Sequence, residues 1–164
     1  MDLNREYTYD ASPTEVYAMF VDQAFVERRL DATGALSRTA ELTPEGGGVQ
    51  IVTQRVLPPH VPDFVRKFVG ESIDLDEIEH WGGAGPDGSR TGTVHVDIKG
   101  APVKLDAATA LRPTATGTVY TITGTIKASV PLFGRKIEDA TGPAVTAALD
   151  KEAEVGRTWL AGQR

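Results

Sequence analysis

The apolar positions of this chain switch between a period of two and a period near 3.6, and the switches mark its elements. Leu3, Arg5, Tyr7 and Tyr9 alternate with Asn4, Glu6, Thr8 and Asp10, which predicts a first strand with a tyrosine-bearing face. In Ser12-Pro13-Thr14-Glu15, Ser12 can cap a helix, Pro13 suits its first position and Glu15 completes a capping box. Val16, Tyr17, Met19, Phe20 and Val21 form the apolar side of that short helix. Ala24 to Leu30 reads as a second short helix, ended near Asp31 to Gly34.

Strand patterns then dominate. Leu36, Ala40 and Leu42 suggest strand two, the cluster Thr43 to Gly48 a turn, and Val49 to Val56 strand three. A proline-framed connector, Leu57 to Asp63, leads to Phe64, Val65, Phe68 and Val69 at near-helical spacing. Glu71 to Trp81 is strand four. Its apolar Ile73 and Leu75 share one face but Ile78 has the other parity, so a bulge near Asp76-Glu77 is expected. Arg90 to Lys99 is strand five, with Val94, Val96 and Ile98 opposite Thr93, His95 and Asp97. Strand six carries Val103, Leu105, Ala107, Thr109 and Leu111 on one side. Strand seven, from about Thr118 to Val130, carries Tyr120, Ile122, Ile126, Ala128 and Val130, with Gly124 hinting at a bend or a close backbone approach.

The chain closes on a long helical pattern. Ile137, Thr141, Ala144, Ala148, Val155 and Trp159 mark one stripe, and Val145, Leu149, Ala153, Gly156 and Leu160 an adjoining one. The middle of this face is built of small residues, which suits either close contact with a sheet or a retained cavity. Gly142-Pro143 predicts a kink or break, because proline lacks a backbone donor and clashes with the preceding turn. The order of elements is α+β: one antiparallel sheet of about seven strands wrapped on a long C-terminal helix, with two short helices after strand one and a pocket expected between sheet and helix.

Composition narrows the function classes. Formal net charge is −6 and no basic cluster is present, which disfavours nucleic acid and anionic membrane surfaces as partners. There is no cysteine, so disulfides, thiolate metal sites and cysteine nucleophiles are excluded. No signal-peptide pattern or apolar run of about 18 residues is present, which makes the cytoplasm the expected compartment. The triple glycine at Gly46 to Gly48 lacks the Gly-Lys-Ser/Thr and following helix of a phosphate loop and reads as a hairpin. Asp74, Asp76, Glu77 and Glu79 lack calcium-loop spacing and read as a solvated strand face. No metal ligand set, cofactor or catalytic residue is assigned, and no linker or repeat divides residues 1–164.

Tyr7 to Tyr17, the approach to the last helix from Val130 to Glu138, and the run Arg55 to Gly70 with the later Trp81 resemble the START and polyketide-cyclase-like (SRPBCC) superfamily. The resemblance is to an uncharacterised bacterial branch and covers nearly the whole chain. It implies a helix-grip fold, a single ligand-binding domain and a cavity for a lipid, sterol-like or polycyclic molecule. The pocket is expected to be lined by Phe64, Phe68, Trp81, Tyr120, Ile122 and Val145, with Ala148, Leu149 and Glu152 beside them. Glu152 is either a rim residue or a polar anchor, and Phe64 and Phe68 either cover an opening or fill one end of the core. Two alternatives stand beside binding. One is a cyclase- or dehydratase-type enzyme using His95 and Asp97, which requires both to point inward. The other is a protein-interaction domain of the chaperone-activator kind, which requires a closed core and an exposed apolar patch.

Overall fold

The computed structural model describes residues 1–163. The first strand, β1 (Asp2–Tyr9), is followed by α1 (Pro13–Phe20) and α2 (Gln23–Ala32). The capping box forms as predicted: the Ser12 hydroxyl accepts from the Glu15 backbone N–H, and the Glu15 carboxylate accepts from the Ser12 N–H. Next come β2 (Ser37–Glu45) and β3 (Gly48–Leu57), joined by a two-residue turn in which Gly46 takes a left-handed φ of 57°. The short helix α3 (Asp63–Val69) precedes β4 (Ile73–Trp81), β5 (Arg90–Ile98), β6 (Val103–Pro113) and β7 (Thr118–Ala128). The chain ends on α4 (Gly134–Leu160).

The seven strands form one antiparallel sheet in the order β1-β7-β6-β5-β4-β3-β2. The helices α1 and α2 carry the chain from one edge strand to the other, and α2 packs on α4 and β2. Strand β4 differs from expectation. Its pairing with β3 runs without interruption from Leu57↔Ile73 to Val49↔Trp81, so there is no bulge at Asp76-Glu77. Ile73, Leu75, Glu77, Glu79 and Trp81 therefore share one face, and Ile78 lies on the other.

The terminal helix also departs from expectation. It is one continuous element of 27 residues, about 40 Å long, with no break at Gly142-Pro143. A proline clashes with the Cβ and N–H of the residue before it when that residue is helical. Gly142 has no Cβ, which removes half of that clash, and Pro143 itself faces solvent.

The core divides into two clusters. The larger one joins Tyr7, Tyr9, Val16, Phe25, Leu30 and Trp159 with their neighbours from α1, α2, the sheet and the end of α4. The smaller one, at the start of α4, is built of Val103, Ile126, Ala128 and Ile137. The sheet and α4 are thus filled at both ends, and the small residues in the middle of α4 lie between the filled ends. Among the described residues no helix is long and apolar enough to cross a membrane.

Candidate functional site: a cavity with one charged end

Between the two clusters lies a cavity of about 500 Å³. Alternation decides its walls: Val94, Val96 and Ile98 of β5 face inward, as do Leu105 of β6 and Ile122 and Ile126 of β7. Thr141, Ala144, Val145, Ala148 and Leu149 of α4 form the opposite side. A small side chain in mid-helix leaves space open that a leucine would fill, which settles the choice between close packing and cavity. The cavity reaches solvent, because exposed His60, Ala144, Ala147 and Lys151 are among its lining.

Of the residues expected to line a pocket, Tyr120, Ile122, Val145, Ala148, Leu149 and Glu152 do so. Phe64, Phe68 and Trp81 do not, which corrects the expectation. On α3 the stripe that turns to the cavity is Val65 and Val69. Phe64 and Phe68, one position earlier on the helix, pack against the smaller core cluster, with the Lys136 ammonium 4.4 Å from the Phe64 ring centroid. Trp81 is 3 % exposed and sits behind the wall, its ring 5.7 Å from Phe20 and 6.2 Å from Tyr120, both of which line the cavity.

One end of the cavity is charged. Arg29 of α2, Arg55 of β3, Glu77 and Glu79 of β4 and Glu152 of α4 converge there. Glu152 accepts from Arg29 Nη1 at 3.1 Å and from Arg55 Nη1 at 3.3 Å. Glu77 accepts from Arg55 Nη2 at 3.1 Å and lies 3.6 Å from Arg29 Nη2. Glu79 accepts from Arg29 Nη2. The solvated face expected for Glu77 and Glu79 is therefore corrected: they are 7 % and 4 % exposed, and of that acidic run only Asp74 and Asp76 lie on the outer side of β4. Glu152 is largely buried, not at the rim, and its carboxylate is paired with Arg29 and Arg55.

Burial sets the electrostatics of this group. It pushes the Glu79 carboxyl up to about 7, with the neighbouring Glu77 adding to the rise and Arg29 opposing it. Burial would raise Glu77 as well, but Arg55 and Arg29 together hold it below the usual carboxylate range. Burial likewise raises the Tyr120 hydroxyl. The two arginines and their role went unnoticed in the sequence. A signal was present in β4, where Glu77 and Glu79 share parity with Leu75 and Trp81.

His95 and Asp97 stand elsewhere. They alternate with the cavity-lining Val94, Val96 and Ile98 and so occupy the outer face of β5. His95 Nδ1 is 2.5 Å from Asp106 and Nε2 is 2.8 Å from Asp97. Hydrogen bonds to Asp106 and Asp97 raise the His95 pKa, which favours its charged form. With both ring nitrogens held by carboxylates and the cavity on the other side of the sheet, the inward pair needed for catalysis is not formed.

Solved structures share this fold. TTHA0849 of Thermus thermophilus superposes with a TM-score of 0.64 at 17% identity, covering 100% of both chains. A conserved protein of Geobacillus kaustophilus gives 0.63 at 16% identity, covering 99% of this chain and 96% of its own. Ara h 8.0201 gives 0.60 at 14% identity over 99% and 98%. The curved seven-stranded sheet on a long terminal helix is a helix-grip fold. Among curated sequences, an uncharacterized protein of Mycobacterium tuberculosis is 25% identical over 161 residues, 93% of this chain and 92% of the relative. A family profile described as a protein of unknown function, DUF2505, matches residues 5–160, and the chain belongs to that family.

Proposed function

We propose that this protein binds or carries a small, mostly apolar molecule in the cavity between the sheet and α4. The observation that carries this reading is the placement of the open space. It lies between two packed clusters, has apolar walls and ends at one buried charged group, which is how sites for small molecules are commonly built. A folded domain of this size gains stability by filling such space, so its retention argues for an occupant. The helix-grip architecture shared with Ara h 8.0201 supports the reading, as does the resemblance to the START and polyketide-cyclase-like superfamily. In this reading the whole chain acts as one START-like domain, and lipids, sterol-like molecules and polycyclic metabolites are the candidate ligands.

The test is native mass spectrometry of freshly purified protein, followed by extraction of whatever is bound. Uptake of a neutral apolar fluorescent probe is measured in parallel on the wild-type chain and on Ala148→Trp, which places a large ring in the cavity. The expected result is a bound apolar molecule or probe uptake in the wild type, with uptake lost in the variant. A clean apo mass together with no uptake would sink the proposal and favour a partner-binding role.

A second reading, proton transfer to a bound substrate, moves from His95 to Glu79. It is favoured by one observation: a carboxyl with a pKa of about 7 lines the cavity, which suits a general acid or base. Turnover of an extracted ligand by the wild type, abolished in Glu79→Gln, would establish it.

A further inference from the structure

The charges at the inner end of the cavity do not balance. Arg29, Glu152, Arg55 and Glu77 form a closed ring in which each carboxylate turns one oxygen to each guanidinium. Two cations meet two anions there. Glu79 stands outside the ring, and among the described residues its ion-pair partner is Arg29, which the ring already shares. Its side chain is 5 % exposed, and it lines the cavity beside Glu77. A buried carboxyl in excess of its counter-charges keeps a proton or takes a hydrogen-bond donor from elsewhere.

The same geometry leaves no place for an incoming anion. All four Nη atoms of Arg29 and Arg55 already face carboxylates. Their two Nε–H groups have no partner, but both are fully shielded, so a ligand oxygen cannot reach them. A ligand carboxylate would add a fourth negative charge at this end, and the lysines of the lining, Lys104 and Lys151, are exposed and paired with Asp97 and Glu154. An alcohol, phenol or amine would instead give Glu79 a further donor beside Arg29 Nη2, the one cationic group already turned to it.

Resting on the cavity reading above, we propose that the ligand's polar end is an uncharged or cationic hydrogen-bond donor seated on Glu79, and that carboxylic acids are rejected. Fatty-acid-like molecules are thereby excluded, and hydroxylated or aminated apolar molecules are selected.

The test uses the full chain loaded with N-phenylnaphthylamine, a neutral fluorescent probe. Decanol, decylamine and decanoate, which share one chain length and differ in head group, are titrated as competitors. Decanol or decylamine should displace the probe at a concentration at least about tenfold lower than decanoate does. In Glu79→Gln the amine should lose most of its advantage over decanoate. In His95→Ala, a change on the outer face, the wild-type ranking should persist. Equal potency of the three head groups in the wild type, or a preference for decanoate, overturns the assignment and leaves the cavity reading standing. A probe that never enters the wild-type chain removes both. The wild-type ranking is decisive by itself even where Glu79→Gln does not fold.

Discussion

The Glu79 carboxylate on β4 meets the Arg29 guanidinium on α2 inside the molecule, with side chains 5 % and 13 % exposed. The pair ties the helix that crosses between sheet edges to the strand below it. Through Glu152 it also ties both to α4. The charged end of the cavity is thus a junction of three elements, and changes there act on stability as well as on the site.

Glu79 makes that stability depend on pH. Its folded pKa, about 7, lies above the ordinary glutamate value of 4.5. Between the two values the native state holds a proton that the unfolded chain has released, so stability falls as pH rises through that interval. Glu79→Gln removes this dependence. Urea denaturation at about pH 5 and about pH 8 should show the variant gaining on the wild type by on the order of a few kcal/mol between the two. Parallel changes in both proteins would contradict the assignment.

The closed ring predicts the opposite response at Glu77. Glu77→Ala leaves Arg55, whose side chain is 9 % exposed, with Glu152 as its remaining ring partner. Arg55 keeps Glu152, so the cost is that of a lost charge-assisted hydrogen bond, about 1.5–3 kcal/mol. Chemical denaturation near neutral pH checks this, and a loss below about 1 kcal/mol would show that water reaches Arg55 in place of the carboxylate.

Pro143 weakens α4 from its solvent side. Without an N–H it cannot bond to the Asp139 carbonyl, and its side chain is exposed. Pro143→Ala restores the bond and removes the clash with Gly142, so a gain of about 1–3 kcal/mol is expected. A lower melting temperature in the variant would mean that the ring makes contacts worth more than the missing bond.

Gly156 sets two effects against each other. A Cβ there would lie 2.9 Å from Tyr9 Cε1 and 3.2 Å from Met19 Cε. Alanine would gain about 1 kcal/mol of helix propensity, while overpacking a fixed core costs about 1–3 kcal/mol. Tyr9 is 3 % exposed and enclosed on its other sides, so the clash prevails and Gly156→Ala should be destabilised by on the order of 1 kcal/mol. Thermal denaturation that showed a gain would mean that the Tyr9 ring can yield.

His95 gives a smaller effect of the same pH sense as Glu79. Asp106 and Asp97 raise its pKa, so its stabilisation is full below the unfolded histidine value of about 6.5 and is lost as pH rises through the folded one. His95→Gln should be less stable than the wild type at about pH 5.5 and match it at about pH 9. The side chain is 38 % exposed, so the difference should shrink further in high salt. A pH-independent difference would point to packing instead of charge.

What the sequence determined by itself was local. A capping box needs only Ser12 and Glu15, a tight hairpin only its glycines, and the inner faces of β5, β6 and β7 only their own alternation. These features lie within one turn or one strand, so the residue pattern carries them completely. The small residues of α4 were legible too, but not whether they meet a sheet or a cavity, because that depends on what stands across from them. Only the tertiary structure decided the charged end. Glu77 and Glu79 violate the apolar-inward rule, and they can do so because counter-charges arrive from far away in the chain. Arg29 lies 50 positions from Glu79 and Glu152 lies 97 from Arg55. Burying a charge is costly unless it is paired, and no pattern within β4 announces partners on α2, β3 and α4. The two stripes of α3 follow the same logic. Phe64 with Phe68 and Val65 with Val69 are both plausible inner faces from their spacing, and contact with the cluster around Ile137 turned the phenylalanines away from the cavity.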